Sequence, residues 1–200
     1  CTASSRLIVT DALHDRFVDG LTQAMQGLVV GDARAADTVI GPVVDASQLE
    51  QDLRYIDLGL REGATLAFGG QAQKSWNGQP GFYLQPALFT DTTPAMTLNR
   101  EEIFGPVASV IRVKDADEAL QVANDTPFGL SAGVVTQSLK QAARFKRELQ
   151  AGMVMVNAPT AGVDPHVPFG GRKGSSHGPR EQGRYAAEFF TTVKTTYVNP

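Results

Sequence analysis

Short apolar runs alternate with amphipathic stretches along this chain, and that rhythm limits the folds open to it. Leu7 to Thr10, Ala64 to Phe68, Tyr83 to Thr90, Val107 to Val113, Ser131 to Thr136 and Met153 to Asn157 read as strands. Between them lie helical patterns. Leu13, Phe17, Leu21 and Met25 recur every four residues after Asp11, a residue suited to capping. Leu49, Leu53, Ile56 and Leu60 form a second stripe, closed by Gly63. Asp115 and Glu118 have the spacing of a capping box for a helix ending near Asn124, and Leu139 to Leu149 continues the series. Strands separated by helices of roughly 10–15 residues imply βαβ units. The expected fold class is therefore α/β, a mainly parallel open sheet with helices on both faces.

Two stretches break the rhythm. Residues 71–81 are rich in Gln, Lys, Asn, Gly and Pro and predict an exposed loop. Residues 158–183 are dense in Gly, Pro and Ser, too long for an idle connection, and so a candidate functional loop. The last segment, Phe189 to Val198, predicts a strand that must pair with another sheet or subunit, because a lone strand leaves its backbone groups unsatisfied.

Composition narrows the chemistry. A net charge of −3 argues against nucleic-acid or anionic-membrane partners, and no apolar run approaches the length of a membrane span. A single cysteine forbids an internal disulfide and suits a reducing, cytoplasmic setting. His14, His166 and His177 lie far apart and offer no metal-ligand spacing, so no metal is expected. The chain opens on Cys rather than Met, which predicts truncation or cleavage of a longer precursor.

Each candidate side chain has a plain structural reading. A solitary cysteine is commonly a small buried hydrophobe. Glu102, in the polar run Asn99-Arg100-Glu101-Glu102, would ordinarily be a solvated carboxylate, and Phe169 would anchor its loop to a core. Gly170 to Ser176 suggests a phosphate cradle, yet fits neither phosphate-binding spacing and is better read as a folded loop.

The neighbours of these residues change the weighing. Cys1-Thr2-Ala3-Ser4-Ser5-Arg6 resembles the cysteine motif of the aldehyde dehydrogenase family. Glu102-Ile103-Phe104-Gly105-Pro106-Val107 resembles its EIFGPV segment, and Asn124 to Ser131 its NDTPYGL-type turn. Pro168-Phe169-Gly170-Gly171-Arg172-Lys173 resembles its PFGG-x-K motif, and Gly178 to Gly183 its GRE-x-G run. All five occur in the family's order and span nearly the whole chain.

The resemblance implies an oxidoreductase that turns an aldehyde into a carboxylic acid with NAD or NADP. Cys1 would be the nucleophile, since a thiolate adds readily to a carbonyl and later leaves a thioester readily. Glu102 would accept hydrogen bonds from the nicotinamide ribose, and Phe104 would pack beside the nicotinamide ring. Phe169, with Val163 and His166 from the variable loop at 158–167, would line the aldehyde pocket. The string from His166 to Lys194 resembles bacterial enzymes acting on 2-oxoglutarate semialdehyde, which makes a semialdehyde the expected small-molecule substrate. Arg172 and Lys173 could attract a substrate carboxylate, but sit where the family motif makes a structural role the better expectation.

The same resemblance implies a thiol-bearing catalytic domain over 1–185 and an oligomerisation strand over 186–200, in a homodimer or homotetramer. The dinucleotide-binding domain, most of the cofactor site, the general base and an oxyanion-binding Asn would then belong to the missing N-terminal half. Two rivals stay open. A chain starting at Cys1 could be an N-terminal-cysteine hydrolase, which needs stacked antiparallel sheets. It could also be a non-enzymatic assembly module using the terminal strand.

Overall fold

The computed structural model describes residues 1–76 and 78–200, and these divide into two compact units. One comprises Ser4–Asp125, the other Cys1–Ala3 with Thr126–Pro200.

In the Ser4–Asp125 unit a four-stranded sheet runs in the order β1 (Arg6–Thr10), β6 (Val107–Val113), β5 (Ala87–Thr92), β2 (Thr65–Phe68). β1 and β5 both lie parallel to β6, while β2 closes the edge antiparallel to β5. Residues 87–90 of β5 are buried without interruption, as a strand covered on both faces requires. Alternate residues divide between the two faces. Leu88 and Val110 pack with Leu7, Val9, Val18, Leu21 and Met25 from β1 and from α1 (Asp11–Gln26). Phe89 and Val107 face the other way, toward Tyr55 and Ile56 of α2 (Ala46–Arg61). Further along, Ile111 and Val113 meet Val122 of α4 (Ala116–Asn124). Phe89 and Leu88 have no exposed surface, and side chains buried so completely contribute about 1.5–3 kcal/mol each.

The helices form where the periodicity places them, but rotated. On α1 the inward residues are His14, Val18, Leu21 and Met25, whereas Leu13 and Phe17 are exposed. A strict four-residue repeat precesses by about 40° per step around a helix and cannot stay on one face. On α2, Leu53 and Leu60 point outward and the buried set is Asp52, Tyr55, Ile56 and Gly59. Nor does Asp11 cap α1. Thr10 occupies that position without a side-chain hydrogen bond, and the Asp11 carboxylate pairs with Arg112 at 2.6 Å. The expected capping at α4 forms in a shifted version: Asp115 accepts from the amides of Asp117 and Glu118, and Glu118 accepts from the amide of Lys114, one residue ahead of the cap.

The stretch 71–81 is a hairpin rather than a loop. β3 (Ala72–Trp76) pairs antiparallel with β4 (Gln79–Leu84), and Trp76 leans on Tyr83 with ring centroids 6.5 Å apart. Its polar residues are exposed along the ribbon, so composition hides the strands; residue 77 of this stretch lies outside the described residues. The expected extended run from Tyr83 to Thr90 is broken at Gln85-Pro86, where β4 gives way to β5 and Pro86 has no N–H to donate. A single helical turn, α3 (Thr97–Arg100), was not anticipated.

In the other unit β7 (Ser131–Val134) lies parallel to β8 (Met153–Val156), joined by α5 (Leu139–Glu148). Among the described residues three of the five strand pairings are parallel, the pattern the N-terminal-cysteine hydrolase rival does not fit. The start of the expected terminal strand is helical instead. Phe189 and Phe190 end a short helix, α6 (Ala186–Phe190), and residues 191–200 are exposed and pair with no strand among the described residues. Ala186 and Ala187 favour the helix, and a strand needs a neighbouring edge to pair with.

Candidate active site

The expected site residues fall into two groups. Cys1, Val163, His166 and Phe169 belong to the unit that contains β7 and β8; Glu102 and Phe104 belong to the sheet unit.

Cys1 is exposed at the head of a tripeptide whose Thr2 carbonyl accepts a long hydrogen bond, 3.4 Å, from the hydroxyl of Ser131 at the start of β7. The loop expected at 158–183 is held firmly. At its root Asn157 takes a left-handed backbone (φ 55°), and its side-chain amide accepts from the Thr136 N–H at 2.8 Å and donates to the Thr136 carbonyl at 2.9 Å. The amide thus continues the β7–β8 pairing past the strand ends. Further on, Phe169 and Glu181 exchange two backbone hydrogen bonds (2.7 and 3.2 Å) as an isolated antiparallel bridge.

Two motifs that are far apart in sequence form one knot. The Gly129 carbonyl accepts from the amides of Gly152 and Arg172 at 2.9 and 2.8 Å, and the Gly129 N–H donates to the Ser175 hydroxyl at 2.9 Å. Lys173, in a short 3-10 turn, donates its ammonium to the Thr126 carbonyl at 3.1 Å. Arg180 donates to the Gly171 carbonyl. So Lys173 and Arg180 brace the loop. Of the three pocket candidates, His166 is exposed while Val163 and Phe169 are half-buried.

Glu102 and Phe104 sit in the turn between α3 and β6. Both are exposed, Phe104 by 64%, and Phe104 has φ 63°, unusual for a residue with a bulky side chain. Such a conformation costs of order 1–3 kcal/mol and persists only when its surroundings enforce it. α2 supplies that enforcement. Gln48 and Gln51 both donate side-chain amides to the Ile103 carbonyl, at 3.1 and 2.8 Å. Just past Phe104, Gly105 lies against the Asp52 carboxyl so closely that a Cβ there would stand 2.1 Å from Oδ1. Asp52 is fully buried; Oδ1 accepts from Gln48 at 2.7 Å, and Oδ2 has no partner among the described residues. Burial pushes this carboxyl above the usual carboxylate range, against the opposing pull of the Gln48 hydrogen bond.

Neighbouring Glu101 accepts from the Tyr55 hydroxyl at 2.5 Å, which raises the phenol's pKa because an anion stands beside it. Asn99, in the same polar run, is buried and donates to the Thr93 carbonyl at 2.9 Å. Beside Phe104 a groove of about 290 Å³ is lined by Val43, Val44, Gln48, Gly105 and Pro106. Sequence reasoning missed Gln48, Gln51 and Asp52. The one signal was a polar residue, Asp52, on the helix side that also carries Tyr55 and Ile56. Among the described residues no cluster of three metal-ligating side chains occurs, and no helix is long and apolar enough to cross a membrane.

Residues 1–196 match the aldehyde dehydrogenase family. The chain is 44% identical over 200 residues to an alpha-ketoglutaric semialdehyde dehydrogenase of Bacillus subtilis (strain 168), covering all of this chain and 41% of that protein. It is 45% identical over 198 residues to an alpha-ketoglutarate semialdehyde dehydrogenase of Haloferax volcanii, covering 98% of this chain and 41% of that protein. A betaine aldehyde dehydrogenase from Staphylococcus aureus, solved in complex with NAD+, superposes with a TM-score of 0.87 at 30% identity, covering 93% of this chain and 37% of that one. The chain thus spans well under half the length of the proteins it matches.

Proposed function

Since the chain belongs to the aldehyde dehydrogenase family, we propose that it is the thiol-bearing part of an NAD(P)-dependent oxidoreductase that converts an aldehyde to its carboxylic acid. The observation that carries this reading is the family match across residues 1–196, with Cys1 exposed at its head.

The Cys1 sulfur, as thiolate, adds to the carbonyl carbon, and the C–S bond forms while the oxygen takes the negative charge. NAD(P)+, when bound, supplies the two-electron acceptor for the hydride that leaves this carbon. The chain's own residues hold the reactants: Glu102 accepts from the ribose hydroxyls and Phe104 offers a flat apolar wall to the nicotinamide. An exposed carboxylate and an exposed ring on one braced turn, beside a groove of about 290 Å³, are consistent with that use. Loss of hydride leaves an acyl thioester on Cys1. Water then attacks the thioester, the C–S bond breaks, and acid and thiolate separate with release of a proton. Val163, His166 and Phe169 line the aldehyde pocket.

The substrate we favour is a semialdehyde carrying a carboxylate, such as 2-oxoglutarate semialdehyde. Support comes from the names of the two relatives at 44% and 45% identity and from a loop over 158–167 with no large aromatic. Residues 1–185 would act as the catalytic domain. The exposed Thr- and Val-rich tail would add to a sheet of a partner subunit in a homodimer or homotetramer. A thiol that must stay reduced suits a cytoplasmic setting.

The test uses the full-length gene product. Cys1→Ala should lower dinucleotide-dependent acid formation by about 10³-fold or more without lowering the thermal midpoint. Acid formation that survives the substitution would overturn the reading. A panel of carboxylated semialdehydes and simple alkanals checks the substrate: equal kcat/KM on both classes refutes the semialdehyde assignment.

A further inference from the structure

Asp52 is out of place as a stability element. A carboxyl with no exposed surface, one oxygen unpartnered among the described residues, costs the fold free energy that an apolar side chain of similar size would not. Groups that weaken a fold in this way concentrate where function needs them. What Asp52 touches is specific. Its Oδ1 accepts from the Gln48 side-chain amide at 2.7 Å, and the same amide nitrogen donates to the Ile103 carbonyl at 3.1 Å. Its carboxyl also fills the space directly beneath Gly105, leaving no room for even a methyl group. Both peptide units that flank Phe104 are therefore linked to this one side chain, one through Gln48, which shares the Ile103 carbonyl with Gln51, and one by direct contact. Phe104 between them holds φ 63°. Gln48 alone would not do this, because an amide on a long side chain has several rotamers of similar energy, and Asp52 selects among them.

We propose that Asp52 is a positioning residue for the dinucleotide: it orients the Gln48 amide and seats Gly105, and so keeps the Glu102–Phe104 turn in its binding shape. The inference rests on the reading of Glu102 and Phe104 as the ribose and nicotinamide contacts, and it adds a residue from another element to that site.

Three variants of the full-length gene product test it: Asp52→Leu, Asp52→Asn and Glu102→Gln. The readouts are thermal midpoint, dissociation constant for the reduced dinucleotide by fluorescence titration, and KM against kcat. Leu approximates the volume and removes the buried polar oxygens; Asn keeps an acceptor for Gln48. Asp52→Leu should melt no lower than the parent yet weaken dinucleotide binding about tenfold, with kcat at saturating dinucleotide within about twofold. Asp52→Asn should restore binding to within about twofold of the parent, a rescue that a space-filling role would not give. Where Asp52→Leu folds poorly, Asp52→Ala is read in its place. Parental affinity in Asp52→Leu, with Glu102→Gln weakened, overturns the proposal and leaves the Glu102 reading standing. Parental affinity in both overturns that reading and the proposal with it.

Discussion

The carbonyl oxygen of Gly170 stands 1.9 Å from where a Cβ on Gly152 would begin. The backbone leading into β8 thus passes the backbone of the 158–183 loop with no room for any side chain, and Gly152 needs to be glycine for close approach rather than for a left-handed φ.

Gly152→Ala should consequently destabilise the protein by about 3 kcal/mol, because two peptide segments must part to admit a methyl group. Urea unfolding checks this: a lowered midpoint with unchanged slope is expected, and an unchanged midpoint contradicts the packing described.

Ser175→Ala removes the hydroxyl that accepts from the Gly129 amide at 2.9 Å. The donor is left without its partner in a half-buried site, a cost of about 1–2 kcal/mol. Chemical denaturation measures it. Ser175→Thr, which keeps the acceptor, should lose less.

Asp52 gives the fold a pH dependence of definite sign. Its carboxyl is pushed up by burial, so the native state prefers the neutral acid. Its contribution is fully present below the ordinary carboxylate range and is lost as pH rises through the raised value. Asp52→Asn cannot ionise. Its stability relative to the parent should therefore grow as pH rises above the ordinary carboxylate range, measured as the difference in thermal midpoints. A constant difference would mean that the carboxyl titrates normally, and a shrinking one that the fold favours its ionised form; either contradicts the shift described.

Deletion of residues 191–200 removes an exposed tail in which Val193, Tyr197 and Val198 are 97%, 94% and 85% exposed. The tail pairs with no strand among the described residues, so the deletion should leave the thermal midpoint within about 1 °C. The proposed role of the tail in subunit contact further requires that the mass in light scattering fall on deletion; an unchanged mass would overturn that role.

Elements with strong local signals were legible in the sequence. β6 begins and ends at Val107 and Val113 as its apolar run does, and Asp115 and Glu118 announce α4 by chemistry confined to one turn. The hairpin of β3 and β4 was not legible, because its exposed polar residues give no alternation and its aromatic clasp, Trp76 with Tyr83, joins one strand to the other. The helices were legible but not their rotation, which depends on which face the sheet covers. At the site, motif order singled out Cys1, Glu102, Phe104 and Phe169 as candidates. The braces escaped notice because Gln48 and Gln51 reach across 55 and 52 residues of sequence to one carbonyl. Nothing local in a phenylalanine foretells a left-handed backbone.

The backbone of Gly129 accepts hydrogen bonds from Gly152 and Arg172 and donates one to Ser175, partners that come from two separate stretches of chain. A variation that shifts any one of them strands the other two. Evolution and engineering alike should find single replacements there poorly accepted and matched sets well accepted, as with keystones that are exchanged only together.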